Sequence, residues 1–527
     1  MSTADAVMPQ PQARYINPWI IAIAVMLGTF MEVLDTTIVN VSLPHIAGNL
    51  SATVDESTWV LTSYLVANAI ILPLTGWLSN HFGRKRILMT SVFGFTAASV
   101  ACAMAPNLPT LLFFRVVQGA AGGGLQPLSQ AIMLEAFPPE KRGKAMAMWG
   151  LGIVVAPMLG PVLGGWLTDT YSWRWLFYIN LPVGIAALTM CYLFVFDPPY
   201  IQRGKGGVDF WGIGMLAVGM GALQIMLDKG QEDDWFSSHF IVWLAVFAAL
   251  GLGLFIIREL RDKHPLVNLR VFLVRTYSTG VFLMTVLGFV LYGSLVLLPI
   301  FLQTLLGYSA LDAGVAMLPR GLGSFIAMPV VGILMSKIEP RKLLMGGVSV
   351  AAFSFWYLAE INLNAGYWNL FWPQFIQGLS LGFIFVPLTT ATHDPIPKEQ
   401  MGNATSIFNV MRNIGGSIGI SMVATIYART TQTNVNILGR GVSVYNQATQ
   451  SMIAGEKAMF MSKGMDVATA TRQAYLSIFG MVQRQAAMLA FIHAFRLLAI
   501  IFVCCVPLIF LMRKPKHHGG PGVGMGH

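Results

Sequence analysis

Fourteen stretches of about 20 predominantly apolar residues follow one another along the chain. That is the length an α-helix needs to cross the hydrocarbon core of a bilayer. They begin near Pro18, Ser57, Ile87, Leu108, Lys144, Arg174, Val208, His239, Thr276, Leu311, Leu343, Trp368, Gly402 and Ala486. Lipid offers backbone N–H and C=O groups no hydrogen-bond partner, so runs of this kind must fold as helices. Charge points the same way. Asp, Glu, Lys and Arg make up 11% of the 527 residues, against about 25% in an ordinary soluble protein. A water-facing surface cannot be built from so few charges, which excludes a soluble enzyme. The 33 Phe, 13 Trp and 14 Tyr exclude disorder. The expected class is an all-α integral membrane protein.

The formal net charge is +10. In a soluble chain that excess would suggest nucleic acid; here it is a topology signal. Basic residues crowd into alternate loops: Arg84-Lys85-Arg86, Lys141 to Lys144, Arg203 and Lys205, Arg258 to Arg275, Lys337 to Lys342, Lys398, and Arg513 to Lys516. With Arg14 they hold 21 of the 33 Lys and Arg, while the short loops of the other set hold only Arg174 and Lys229. By the positive-inside rule both termini are expected in the cytoplasm. The first run is not expected to be a cleaved signal peptide, since it carries Glu32 and Asp35 and shows no small-residue cleavage site. Cys102, Cys191, Cys504 and Cys505 each lie inside an apolar run and are expected to pack rather than to form disulfides or a zinc site.

The chain also matches itself. An offset of 256 places Gly76–Met89 on Gly332–Met345, and both segments close a span, cross a short basic loop and open the next. A second match sets Phe114-Arg-Val-Val-Gln-Gly119 beside Gln374-Phe-Ile-Gln-Gly378. Tandem halves of this kind mark transporters, with substrate held near the midplane between them. The expected organisation is a cytoplasmic N-terminus (1–17), an N-terminal six-helix half (18–197) and two inserted helices (208–258). A C-terminal six-helix half (276–512) follows, with a long polar loop (429–485) on the periplasmic side whose later part has helical spacing. A Gly/His-rich cytoplasmic tail (513–527) ends the chain.

The motifs then narrow the class. Gly76 to Arg86 resembles the loop motif Gly-x-Leu-Ala-Asp-Arg-x-Gly-Arg-Lys of the major facilitator superfamily. Leu34-Asp-Thr-Thr-Ile-Val-Asn-Val-Ser-Leu-Pro44, Arg115-Val-Val-Gln118-Gly119 and Gly152 to Gly165 resemble the motifs of its fourteen-helix drug:proton antiporters, the EmrB/QacA type. Trp173 to Asn180 and Trp372 to Gln377 bring the resemblance nearer to EmrB-like permeases. It implies efflux of hydrophobic drugs and toxic compounds across a bacterial inner membrane. The implied drive is the proton motive force, with no cofactor. It also implies a periplasmic adaptor (EmrA-like) and an outer-membrane channel (TolC-like) as partners. Two positions depart from the pattern: Asn80 stands where aspartate is usual and His81 where arginine is usual.

Asp35 is the first candidate for proton coupling. It lies roughly 12 Å below the periplasmic end of its helix at 1.5 Å per residue, where a charged side chain costs about 2.5–3.5 kcal/mol. Arg115 enters from the same side to a matching depth of roughly 10 Å, as counter-ion or as the switch that expels the proton; a static ion pair between helices is the other reading. Glu32 lies one turn from Asp35 on the same face, and two carboxylates this close cannot both ionise cheaply. It either shares in coupling or only solvates a cavity.

Arg320, Arg412 and Arg496 are also expected inside the membrane. Arg320 either meets Asp35 or Glu32 across the halves or lines the cavity for anionic substrates. Arg412 and Arg496 are expected to bond helix carbonyls, and His493 to pack. Gly76, Asn80, Gly83, Arg84, Lys85 and Arg86 form an expected cytoplasmic latch, in which glycines permit close approach and the basic run meets helix ends and lipid headgroups. Asn80 as a neutral amide can still cap a helix, and His81 could make the latch pH-sensitive. Gly152, Pro157, Gly160, Pro161, Gly164 and Gly165 form the antiporter helix, with the prolines expected to kink it. Tyr64, Asn68, Gln126, Tyr292 and Gln377 are weak candidates for the substrate pocket.

No catalytic or metal residue is expected. Gly415-Gly-Ser417-Ile-Gly419 fits a hydrolase pattern but lies within an apolar span, without the strand–turn–helix context that pattern needs. Gly-Lys is never followed by Ser or Thr, so ATP drive has no support. Export of one natural metabolite, such as a fatty acid or siderophore, stays open, and so does a channel or sensor on the same scaffold.

Overall fold

The structure is a computed structural model describing residues 17–197, 208–443 and 445–512. Arg14, Arg203, Lys205 and the 513–527 tail lie outside them. Every regular element among the described residues is a helix.

Local chemistry sets the first boundaries. The side chain of Asn17 accepts from Trp19 N at 3.1 Å and opens α1 (Pro18–Ile38). A short α2 (Leu43–Asn49) turns the chain, and a capping box between Thr53 and Glu56 starts α3 (Val54–Ile71). Pro73 interrupts the run before α4 (Thr75–Phe82). Gly83, at φ +96°, then divides α4 from α5 (Arg84–Ala103), a backbone state that favours glycine. The first half continues with α6 (Leu108–Gly122), α7 (Leu125–Ala136), α8 (Pro139–Thr170), α9 (Trp175–Tyr178) and α10 (Asn180–Phe194). The hairpin of α11 (Phe210–Lys229) and α12 (His239–Arg261) intervenes. The second half holds α13 (Arg275–Ile300), α14 (Ala310–Leu334), α15 (Pro340–Leu358), α16 (Tyr367–His393), α17 (Met401–Gly439), α18 (Gln447–Ser462) and α19 (Val467–Ile509).

The internal repeat of the sequence reappears as a repeat of packing. In the first half α1 packs on α8 and α10, α3 on α6, and α5 on α6 and α10. In the second half α13 packs on α17 and α19, α14 on α16, and α15 on α16 and α19. Small residues carry both copies. A Cβ on Gly119 would strike the carbonyl of Tyr64, and one on Gly378 would strike that of Arg320, so each pair of backbones touches at a glycine.

Among the described residues eleven helical segments are long and apolar enough to cross a membrane. The other three expected runs, from Leu108, Leu343 and Gly402, are helical but do not meet the same measure. α6 ends after 15 residues, at the Gly123-Gly124 turn. α15 opens on Arg341 and Lys342. α17 is polar because Asn403, Thr405, Ser406, Asn409 and Arg412 are buried along it, and Asn409 and Arg412 reach the first half.

The segment expected as a long loop, 429–485, is mostly helix. α17 runs 39 residues and α19 runs 43, with α18 packed on α19 between them. At 1.5 Å per residue α19 is about 65 Å long, roughly twice the hydrocarbon thickness. Both helices therefore project well past the bundle, at the end opposite the basic loops. Arg484 marks the level where α19 leaves the bundle, since its Nε and Nη2 donate to Leu305 O at 3.1 and 2.8 Å.

Candidate functional site

Asp35 sits on α1 with no exposure. Arg115 Nη1 donates to its Oδ2 at 2.6 Å, and Gln118 Nε2 and Asn180 Nδ2 donate to its Oδ1 at 3.0 and 2.9 Å. Arg115 is fixed in turn. Its Nε donates to Val60 O at 2.9 Å, its Nη1 also reaches Gln118 Oε1 at 2.8 Å, and its guanidinium lies 4.3 Å from the centre of the Tyr64 ring. Asn180 is held by Ser99 Oγ at 3.0 Å. Five helices of the first half thus converge on one carboxylate. The geometry brings Asp35 and Arg115 into direct contact, and adds two residues that stood in the sequence motifs without an assigned role, Gln118 and Asn180.

One turn before Asp35, Glu32 belongs to a different cluster, between the halves. Asn68 Nδ2 donates to Glu32 Oε1 at 3.1 Å, while Oε2 is buried with no partner. Arg412 on α17 donates to Gln126 Oε1 and lies within electrostatic range of Glu32, and its Nε and Nη1 are buried without partners. Beside them Asn409 Nδ2 donates to Gln130 Oε1 at 2.6 Å, joining α17 to α7. Tyr64, over Arg115, has a buried hydroxyl without a partner. Three of the weak substrate candidates, Tyr64, Asn68 and Gln126, therefore gather around the two carboxylates. The other two do not: Tyr292 packs on Gly416 and Gln377 lies inside the second half.

Three arginines differ from expectation. Arg320 meets neither Asp35 nor Glu32. α14 turns it into its own half, where Nη1 donates to Ser294 Oγ at 3.3 Å. Arg412 finds the Gln126 side chain rather than a helix carbonyl. Arg496 is 44% exposed and pairs with Glu360 at 3.3 Å rather than with a helix carbonyl. His493 is exposed, as is Cys504; the other three cysteines are buried.

The latch residues form a seam between the halves. A Cβ on Gly76 would stand 2.7 Å from Asn403 Cα, so α4 and the start of α17 touch backbone to backbone. Asn403 is held there by two hydrogen bonds with the Asn268 backbone: Asn268 N donates to Asn403 Oδ1 and Asn403 Nδ2 donates to Asn268 O, each at 3.0 Å. Arg84 is buried on Glu135 rather than facing lipid. The Lys85 backbone N–H donates to Asp197 Oδ1 at 2.8 Å, and its Nζ donates to Tyr192 O at 2.6 Å. Arg86 is exposed. Asn80 caps nothing: its side chain makes no hydrogen bond with the described residues, because it lies in the last turn of α4 while Ser79 and Gly76 face α17. His81 stacks on Trp77 at 5.0 Å. Glu135 and Asp197, which anchor the basic run, carry no signal in the sequence beyond their charge.

α8 runs unbroken through Pro157 and Pro161 for 32 residues. One of its faces is notched against α1. Gly160 has no room for a Cβ beside Thr37 and Ile38, nor Gly164 beside Ile38 O, and Gly152 touches Met26; Gly165 is open. The other face meets α14 across the halves, where Met335 fills the notch at Gly143, Met328 that at Gly150, and Met158 that at Gly321. Flexible thioethers seated in glycine notches can re-pack as two helices rock.

The family model described as Major Facilitator Superfamily matches residues 25–420. The chain is 37% identical over 505 residues to the fatty acid resistance protein FarB of Neisseria gonorrhoeae, covering 95% of this chain and 97% of that one. It is 37% identical over 508 residues to the multidrug export protein EmrB of Escherichia coli K12, covering 96% and 97%. The fold is similar to that of the proton:xylose symporter XylE, with a TM-score of 0.58 at 15% identity over 94% of this chain and 96% of that one.

Proposed function

The chain belongs to the Major Facilitator Superfamily, and from that premise we propose that it exports hydrophobic drugs and toxic compounds across a bacterial inner membrane in exchange for protons. It works by alternating access between two six-helix halves, with fourteen spans in all and both termini in the cytoplasm. It needs no cofactor beyond the proton motive force. The multidrug export activity named for its EmrB relative supports the substrate class.

The observation that carries the coupling is the placement of two carboxylates one turn apart on α1, each nearly or wholly buried and each in a different setting. Asp35 is locked by Arg115, Gln118 and Asn180 inside the first half. Glu32 keeps an unpartnered oxygen at the junction of the halves. A buried carboxylate favours its neutral form unless a cation answers it, so any movement of α1 against α6 that separates Asp35 from Arg115 draws a proton onto Asp35. A cationic drug near Glu32 competes for the carboxylate that a second proton would take. The test is substrate-dependent proton release from proteoliposomes, comparing wild type with Asp35→Asn and Glu32→Gln. Substrate flux that persists unchanged in Asp35→Asn would move the coupling elsewhere.

The projecting end of α17, α18 and α19 suits the tripartite arrangement, with a periplasmic adaptor and an outer-membrane channel. It stands about 30 Å beyond the span and exposes Tyr445, Met452, Tyr475, Leu476 and Phe479. A second reading is favoured by the relative named for fatty acid resistance: the exported compound is an amphiphilic acid.

A further inference from the structure

Three consecutive residues beyond α12 each reach a different helix. Leu266 lies against the first turn of α11, where a Cβ on Gly212 would come within 3.0 Å of the Leu266 Cδ1. The Val267 backbone N–H donates to Glu259 Oε2 on α12 at 2.9 Å. Asn268 bonds the Asn403 side chain on α17 through both its backbone N–H and its C=O, at 3.0 Å each. Leu266, Val267, Glu259 and Asn403 are all buried. Burying a carboxylate is costly unless donors answer it, and Glu259 commits one oxygen to this connection. A plain linker between two helices would not need that.

Asn403 is also where the halves meet. A Cβ on Gly76 would stand 2.7 Å from its Cα, so its backbone faces α4 while its side chain holds the connection. α3 and α4 belong to one apolar segment, Asp55–Phe82. Near the start of that segment, Thr62 donates to Asp228 and Lys229 Nζ donates to Thr58 Oγ1 at 2.6 Å, which ties α11 to the first half. α11 has 20 residues and is about 30 Å long, so its two ends lie on opposite sides of a bilayer. At the basic end, Arg258 bonds Asp209 from Nε and Nη2 and makes the base of the hairpin one unit.

These contacts close a frame. The Asp55–Phe82 segment touches Asn403 directly at Gly76, and a second time through the hairpin and residues 266–268. Asn403 can therefore leave Gly76 only if one of the ties opens. The bonds at Asn403 join neutral groups, while those at Asp228 and Lys229 carry charge and are the stronger.

We propose that residues 265–268 are a strap that holds the basic end closed, with Asn403 and Glu259 as its positioning residues. The inserted hairpin carries the strap to the seam. When the halves part at that end, the Asn403 bonds open and the connection 262–274 keeps the chain continuous. The strap sets how readily the basic end opens, and it is separate from the Asp35 and Glu32 clusters. It rests on the reading of alternating access only for the two states that it separates.

The experiment uses the full-length protein in nanodiscs, with spin labels at Glu140→Cys and Glu399→Cys, both exposed at the basic end, in a Cys504→Ser background. Asn403→Leu removes both bonds to Asn268 and leaves the Cα at Gly76. It should add a population of label distances longer by about 5 Å or more. Glu259→Leu should add the same population from α12. Glu259→Gln keeps an oxygen for Val267 N and should match the unsubstituted distances, a rescue that loss of packing alone would not give. Unchanged distances in both leucine variants would overturn the strap. A change in Asn403→Leu alone would also overturn it, because that side chain would then act within α17. If a leucine variant does not fold, hydrogen exchange in the wild-type protein decides. The Val267 and Asn268 amides should exchange about tenfold or more slowly than that of exposed Lys263; equal exchange would show that the strap is not formed. All of these are read without drug or proton gradient. Absence of drug-driven proton release would thus count against the exporter and leave the strap standing.

Discussion

Arg115 and Gln374 occupy matching places in the two halves. Arg115 Nε donates to Val60 O at 2.9 Å, and Gln374 Nε2 donates to Ala316 O at 2.9 Å, with Val60 and Ala316 related by the repeat offset. One scaffold position thus holds a cation where an acid faces it and a neutral amide where none does. The shared bond fixes a helix pair, and only the first-half copy adds a charge that can be released. Arg115→Gln should therefore abolish substrate-dependent proton release, and should destabilise the protein by about 3–5 kcal/mol because Asp35 is left buried and unpaired. Gln374→Leu should cost about 0.5–1.5 kcal/mol for the lost hydrogen bond and leave coupling intact. Equal loss of coupling in both would mean that the bond to the carbonyl matters and the charge does not.

Gly76 meets Asn403 with no space for a side chain, so the basic end closes through backbone contact. Gly76→Val should keep the halves apart at that end, with an overpacking cost of about 1–3 kcal/mol if they are forced together. A cysteine at Gln130, on the neighbouring seam with Asn409, would report it. Gln130→Cys should react slowly with a polar maleimide in the otherwise wild-type protein and quickly when combined with Gly76→Val. Unchanged labelling would remove Gly76 from the latch.

Much of this was legible because membrane helices announce themselves by length, and because one offset exposed the repeat. Asp35 and Arg115 stood out since charges inside apolar runs are rare and costly. What stayed hidden is a matter of facing. A helix places each side chain by its rotation, and sequence depth alone does not give that rotation. Arg320 is at a depth that would suit Asp35, yet α14 turns it into its own half. Gln118 and Asn180 are neutral, so nothing in composition marks them until both are seen on Asp35 Oδ1. The 429–485 segment reads as a loop because it is polar, but polarity there reflects projection beyond the bilayer rather than loss of helix.

Outside the spans, Asp209 caps α11 through Gly212 N at 3.1 Å and ties it to α12. Arg258 donates to it from Nε at 2.7 Å and from Nη2 at 2.8 Å. Those bonds from Arg258 hold the Asp209 carboxyl below the usual range. The folded protein therefore binds this proton less readily than the unfolded chain. The pair's contribution is complete above the ordinary aspartate value of about 3.9 and is lost as pH falls through the lower folded value. Arg258 is 39% exposed, so solvent and salt keep that contribution small. Asp209→Asn should lower stability slightly at neutral pH and match wild type in strong acid. A difference that grew on acidification would contradict the sign.

The inserted hairpin is tied to both halves at the end opposite the basic loops. On the first half, Thr62 donates to Asp228, and Lys229 Nζ donates to Thr58 Oγ1 at 2.6 Å. On the second, Ser417 Oγ donates to Gln224 Oε1 at 3.1 Å, and Trp235 Nε1 donates to Thr425 Oγ1 at 2.9 Å. α11 thus bridges α3 and α17, the two helices that must separate or approach if the halves rock. The ties are unequal: the first-half side carries charge and the second-half side is neutral, each neutral bond being worth about 0.5–1.5 kcal/mol. Motion should therefore break the second-half bonds first, with α11 travelling with α3. Thr425→Val removes one such bond while keeping the side-chain volume. It should change the rate of substrate turnover and leave substrate affinity within about twofold, because no residue of the Asp35 or Glu32 clusters is touched. Replacing Asp228 by Asn should instead loosen the hairpin from the first half. A spin-label pair between α11 and α3 would separate these outcomes, since its distance should hold in the former variant and broaden in the latter. A broadened distance in both would show that α11 belongs to neither half.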